Sequence, residues 1–227
     1  MMEDSVSHSG FRFADRYDAG RRLAQRLGEF AGRGDVLVFG LPRGGVPVAA
    51  VVAGALGAPL DVMVVRKLGL PAQPELAMGA IASGGAYVVN PQVVEQTDVT
   101  DAQMQAAIER ERVELERRER AYRGERPFPD VSGRTVIVVD DGFATGATMR
   151  AAVQALRQYG PQEIVVAVPV APPHVQDSTL READRFIALL QPTPFYAVGQ
   201  WYRNFDQTTD EEVTRLMREA HANRDGE

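Results

Sequence analysis

Apolar and polar positions along this chain keep two rhythms in turn. Short, β-branched apolar runs at Val36 to Phe39, Asp61 to Val65, Val136 to Val139, Glu163 to Val170 and Phe186 to Leu190 read as strands buried on both faces, with a last short one at Phe195 to Val198. Between them the period changes to that of helices. Phe11 to Leu27 reads as a short entry and an amphipathic helix capped by Asp15, and Gly45 to Leu56 as a helix of small residues. A helical pattern starts again from Ala151, and Thr209 with Glu212 opens a final helix over Thr209 to His221. Strands alternating with helices predict an α/β fold: a mostly parallel sheet flanked by helices, with right-handed crossovers.

Two stretches depart from this alternation. Residues 66 to 90 carry Gly69, Pro71, Pro74, Gly79, Gly84 and Gly85, and are expected to form a mobile loop with two short strands near Met78 to Ala82 and Ala86 to Val89. Thr100 to Arg123 is expected to be a long helical insertion, opened by a Thr100/Gln103 capping box and burying Met104, Ile108, Leu115 and Tyr122 on one face. Its Glu and Arg residues recur four apart, as in Glu114 and Arg118, which describes a solvated face and offers a homodimer contact rather than a nucleic-acid surface.

Composition narrows the class. The 227 residues, 44% hydrophobic, suffice for one domain spanning residues 1–227. With no cysteine, disulfides, thiolate metal sites and cysteine nucleophiles are excluded, and no apolar leader or membrane span is legible, so a cytoplasmic location is expected. The net charge of −6 disfavours nucleic acid as a main partner, yet leaves room for a local basic pocket that holds a phosphorylated metabolite.

The chemistry concentrates where strands end. After Val136 to Val139 come Asp140 and Asp141, then a small-residue turn, Ala144, Thr145, Gly146, Ala147 and Thr148, leading into a helix. Such a turn can offer backbone N–H groups and two hydroxyls to an anion at a helix N-terminus, while the carboxylates can accept hydrogen bonds from hydroxyls. The Lys of G-x-x-x-x-G-K-[ST] is missing and there is no G-x-G-x-x-G, so a nucleoside-triphosphate loop is not indicated. Leu41-Pro42-Arg43-Gly44-Gly45 follows the first strand and reads either as a second anion site, with a forked cation beside two glycines, or as a plain turn with a surface Arg. Arg66 and Lys67 follow the second strand, again where α/β sheets collect ligands, or else form a solvated pair.

The stretch VIVVDDGFATGAT resembles the phosphoribosyl-pyrophosphate (PRPP) signature of the type I phosphoribosyltransferases. The resemblance implies their core fold, with a small hood from residues 1–30 and 191–227. It assigns Asp140 and Asp141 to the ribose hydroxyls, Ala144 through Thr148 to the 5-phosphate, and Arg43, Gly44 and Gly45 to the pyrophosphate. Arg66 and Lys67 would introduce a loop, residues 67–85, that closes over the site. Gly142 departs from the pattern, since the family usually has an apolar residue there. The implied reaction transfers the 5-phosphoribosyl group from PRPP to a nitrogen acceptor, a nucleobase or similar heterocycle, and releases pyrophosphate, as in nucleobase salvage. Mg²⁺, held mainly through PRPP, is the implied cofactor.

Acceptor recognition is less legible. Members that use 6-oxopurines commonly place an acid where Ala144 stands and a Lys after the next strand; Val168 to His174 contains no Lys, so both departures argue against hypoxanthine and guanine. Ala144 resembles the Ala-Thr-Gly of adenine-using members, whose closing loop supplies a Glu. The sole acid between Lys67 and Gly85 is Glu75, which also reads as a helix-start Glu after Pro74. Tyr196 and Trp201 fall in the segment that matches the base-stacking strand, though aromatic residues there can equally pack a hood, which Phe11, Phe13 and Arg16 would complete. The rival function is a non-catalytic regulator of the same fold that senses PRPP or a nucleotide.

Overall fold

The computed structural model describes residues 11–173, 175 and 183–225; His8, His174 and the first ten residues assigned to the hood lie outside them. In chain order the elements are α1 (Arg16–Arg26), β1 (Val36–Gly40), α2 (Gly45–Leu56), β2 (Leu60–Val62), β3 (Val65–Leu70), β4 (Gln73–Ala82), β5 (Tyr87–Val89), α3 (Pro91–Glu95), α4 (Asp101–Arg123), β6 (Thr135–Val139), α5 (Ala147–Arg157), β7 (Glu163–Val170), β8 (Arg185–Leu190) and α6 (Asp210–Asp225). Five strands form a parallel sheet in the order β2-β1-β6-β7-β8.

Strand alternation sorts the core onto two faces. Val36, Val38, Ile137, Val139, Val165 and Ala167 face one layer, packed with α1, α2 and α6 through Leu23, Val52 and Met217. Leu37, Phe39, Val136, Val138, Ile164 and Val166 face the other, against Met149, Ala152 and Leu156 of α5. Burial on both faces explains why these strands read as unbroken apolar runs rather than alternating ones.

Register positions the site. Residues pair from Val36 with Thr135 to Gly40 with Val139, so β1 and β6 end level. The chain leaves β1 towards β2 on one side, while β6 lies on the other. The two turns therefore lie side by side at the carboxyl edge while the helices they lead to go separate ways, the place where open α/β sheets usually hold a ligand in a crevice.

The two short strands expected near Met78 to Ala82 and Ala86 to Val89 form, within β4 and as β5, but the stretch over residues 66 to 77 is not a loop: it supplies β3 and the outer half of β4, completing an antiparallel sheet, β3-β4-β5. Glycines that suggest chain breaks serve close approach here: a Cβ on Gly69 would lie 2.4 Å from the Pro74 carbonyl oxygen, and one on Gly79 would lie 2.4 Å from that of Val88. Leu68, Leu70, Met78 and Ile81 turn inward and join the core. A strand over Phe195 to Val198 does not form. Val198 to Trp201 is a 3-10 turn, and the regular pairing nearby is a single bridge of Phe13 with Tyr202, flanked by the Phe13 N–H donating to the Trp201 carbonyl at 2.8 Å and the Arg203 N–H to the Phe13 carbonyl at 2.8 Å. Phe13, Val170, Leu190 and Tyr202 form a separate apolar cluster beneath this bridge.

Helix α4 is anchored at both ends. Thr100 and Gln103 close the capping box, and at the far end Arg123 is buried, donating to Asp61 at 2.9 Å, to the Val62 carbonyl at 2.9 Å and to Glu119 at 3.0 Å. Burial raises the Asp61 carboxyl above its ordinary value, and the Arg123 charge opposes that shift. This pair holds the helix under the end of β2.

Candidate functional site

Two strand-to-helix turns meet at the crevice. In the first, Gly44 and Gly45 lie against the start of the second, and neither position has room for a side chain: a Cβ on Gly44 would meet the Asp141 carboxylate at 2.1 Å, and one on Gly45 the Val139 carbonyl oxygen at 2.7 Å. The Pro42–Arg43 peptide between them and β1 is cis. In the second turn, Gly146 adopts φ +70°, and a Cβ there would strike the Phe143 ring at 2.0 Å. The first amides of α5 follow, at Ala147 and Thr148, where helix geometry supplies no acceptor. Ala144, Thr145 and Thr148 are exposed, so this end is open to an anion.

The two aspartates are not equivalent. Arg16 of α1 donates through Nε to Asp141 Oδ2 at 2.9 Å, with its second nitrogen 2.8 Å away, and the two side chains are 12% and 15% exposed. Arg16 also donates to the Asp206 carbonyl at 2.6 Å and lies 4.1 Å over the Phe205 ring, while Tyr202 donates its hydroxyl to the Asp141 backbone carbonyl at 2.6 Å. Among the described residues no cation hydrogen-bonds Asp140, which feels the Arg16 charge only at a distance; its Oδ1 accepts the Asp141 N–H at 2.8 Å. Burial, and then the neighbouring Asp141 charge, push the Asp140 carboxyl well above the usual carboxylate range. Burial raises Asp141 as well, but Arg16 counters it through charge and hydrogen bonding. Sequence position groups Arg16 with the hood aromatics, and no spacing links it to a carboxylate 125 residues away.

The other site residues separate. Arg43 stands beside the glycine turn, half-exposed, 4.0 Å from Asp210 at the start of α6. Arg66 and Lys67 alternate across β3. Arg66 is bound to Glu111 of α4 at 3.0 and 2.7 Å, whereas Lys67 is exposed and shares with Thr148 the rim of a cleft between the β3–β4 hairpin, α4 and α5. Glu75 is exposed on the outer part of β4, in an ordered strand rather than a loop or a helix start. Tyr196 is 82% exposed. Trp201 is half-buried, and its indole Nε1 has no hydrogen-bond partner among the described residues. Gly142, the departure from the family pattern, has a local cause: a Cβ there would lie 2.4 Å from Cγ1 of Val198, so an apolar side chain is replaced by the incoming 198–201 turn.

Comparison with known proteins places the fold and the family. The crystal structure of TT1426 from Thermus thermophilus superposes with a TM-score of 0.80 at 44% identity, covering 92% of this chain and 99% of that one. A Neisseria gonorrhoeae hypothetical protein with bound ppGpp shares the fold at a TM-score of 0.50 and 14% identity, covering 92% and 94% of the two chains. Two Mycobacterium tuberculosis proteins that carry the provisional name phosphoribosyl transferase, from strains CDC 1551 / Oshkosh and H37Rv, are 50% identical over 209 residues, 92% of this chain and 47% of theirs. The chain thus spans about half the length of the curated relatives it matches. The family described as the phosphoribosyl transferase domain matches residues 13–188, which takes in both turns and the Arg16–Asp141 pair, and the chain belongs to that family.

Proposed function

We propose that this protein transfers the 5-phosphoribosyl group from PRPP to a ring nitrogen of a nucleobase-like acceptor. The observation that supports the reading is the contact of the two turns: Gly44 and Gly45 lie directly on Asp141 and Asp140, so the turn read as the pyrophosphate loop and the turn read as the 5-phosphate loop would flank one carboxylate pair. In the reaction the bond from the anomeric carbon to the pyrophosphate oxygen breaks and a bond to the acceptor nitrogen forms, through a transition state of oxocarbenium character. Negative charge grows on the departing pyrophosphate. Arg43 and Lys67 would stabilise it, while Arg66, bound to Glu111, would act mainly by holding the hairpin that carries Lys67.

Asp140 would accept from the ribose hydroxyls, and Asp141, held by Arg16, would keep that carboxylate pair in place. Residues 144–148 would wrap the 5-phosphate with amides and hydroxyls. The residues present fit Mg²⁺ carried by the substrate, since the Asp140 and Asp141 carboxylates could accept from its waters while the amides and hydroxyls of 144–148 would hold phosphate, and this ion prefers phosphate and water oxygens for most of its shell. When bound, Mg²⁺ would neutralise leaving-group charge. Tyr196 and Trp201, at the open side, are the candidates to face the base.

The test is acceptor-dependent release of pyrophosphate from PRPP and Mg²⁺ across adenine, hypoxanthine, guanine, xanthine, uracil and orotate. Release with at least one base, lost in the Asp140→Asn/Asp141→Asn double variant, is the expected outcome. PRPP binding without release for any base would overturn transfer in favour of a sensor, and no PRPP binding would overturn the site itself.

A further inference from the structure

Helix α6 begins after residue 188, where the family match ends, yet its first residue reaches the glycine turn. Asp210 Oδ1 accepts the Tyr122 hydroxyl at 2.6 Å and lies 4.0 Å from the Arg43 guanidinium. Tyr122 is buried at the inner face of α4, so the carboxylate is held from a rigid element. A second tie fixes the same corner: the Thr214 hydroxyl contacts the Asp210 carbonyl at 2.8 Å and the Ala121 carbonyl at 3.2 Å, joining α6 to α4. The neighbouring cations of α4 are engaged elsewhere, Arg117 and Arg118 both contacting Glu114 at 2.7 Å.

A fixed carboxylate beside a cation has a signed consequence for any anion that must use that cation. We infer that Asp210 sets the affinity of this site for pyrophosphate: its carboxylate, held by the Tyr122 hydroxyl 4.0 Å from the Arg43 guanidinium, offsets part of that positive charge and so competes with the leaving group for it. The inference rests on the reading of Arg43 as a pyrophosphate contact. Bound pyrophosphate shares Arg43 with Asp210 and sits close to a negative charge, which favours its departure after transfer. Helices α4 and α6, which contribute nothing to the two turns themselves, thereby acquire a role in turnover through product release.

Isothermal titration with magnesium pyrophosphate tests this on the full chain, without needing the acceptor. Asp210→Asn keeps the shape and is expected to tighten binding about three- to tenfold, the exposed ion pair accounting for the lower part and relief of carboxylate–anion repulsion for the rest. Tyr122→Phe leaves the charge but frees it, and should tighten binding less. In the Arg43→Gln background the Asp210→Asn gain should shrink to the part that relief of repulsion supplies. A merely structural Asp210 would weaken binding when substituted. Unchanged or weaker binding by Asp210→Asn with an undiminished melting temperature, or a gain that is undiminished without Arg43, overturns the inference alone; failure of the wild-type protein to bind pyrophosphate overturns the transferase reading and this inference with it.

Discussion

Two arginine–carboxylate pairs, Arg16–Asp141 and Arg66–Glu111, use the same chemistry in different surroundings. Each joins distant segments with nitrogen–oxygen distances of 2.7 to 3.0 Å. Arg16 and Asp141 meet at the carboxyl edge of the parallel sheet, 12% and 15% exposed, sealed by Phe205 and the Gly44 backbone; Arg66 and Glu111 meet between the hairpin and α4, at 30% and 16%. Solvent can replace a lost partner at the second pair more easily than at the first. The contrast teaches that burial, rather than bond length, decides how much of the site depends on an ion pair.

Breaking each pair by itself gives the largest expected difference. Arg16→Met leaves a buried carboxylate next to Asp140 and should cost about 3 kcal/mol in urea unfolding, with loss of PRPP binding. A loss below that of Arg66→Met would refute the comparison. Crowding at the two sheets comes next. Gly45→Ala forces a methyl group onto the backbone of Val139 and Asp140 and should cost about 2 kcal/mol together with pyrophosphate binding, whereas Gly79→Ala, which meets the Val88 carbonyl across β4 and β5, should cost a similar amount while the pyrophosphate site is retained. Arg66→Met should cost about 1 kcal/mol or less, and lower the catalytic rate more than the stability by loosening the strand that carries Lys67.

The smallest effect sharpens the difference between the two aspartates. Because burial raises the Asp140 carboxyl, the folded protein binds that proton more tightly than the unfolded chain. The stability linked to it is fully present below the unfolded value, about 4, and is lost as the pH rises through the higher folded value. Asp140→Asn removes this dependence. Its melting temperature should therefore exceed that of the wild-type protein at pH 7, with the gain shrinking towards pH 4. A constant difference across that range would mean that the carboxylate charge is not the cause.

Legibility in the sequence followed the range of the interactions. Gly45–Leu56 and Glu163–Val170 have the ends that the pattern implies, and Asp15 caps α1 by accepting the Asp18 N–H at 2.7 Å. In these elements short-range rules decide: apolar period, cap and breaker. Within residues 66 to 90 the two short strands were legible, but residues 66 to 77 misled because glycine and proline mean opposite things in a loop and in a tightly paired sheet, and the distinguishing neighbour of Gly69, Pro74, becomes one only when the strands pair. The absent strand at Phe195 to Val198 has a similar cause, since the pairing in this region falls to Trp201, Tyr202 and Arg203, which meet Phe13, far away in the chain.

From its sequence alone the chain determined a parallel α/β core, two glycine-bearing turns and an acid pair at strand ends, because each of these is written in a run of adjacent residues whose backbone geometry is local. Tertiary structure alone decided that Asp141 is held by Arg16, that Arg66 is spent on Glu111, that Gly142 yields to Val198 and that Asp210 stands beside Arg43. Charges and contacts of this kind depend on distances between segments up to 167 residues apart, Arg43 to Asp210, and those distances exist only once the sheet has set its register.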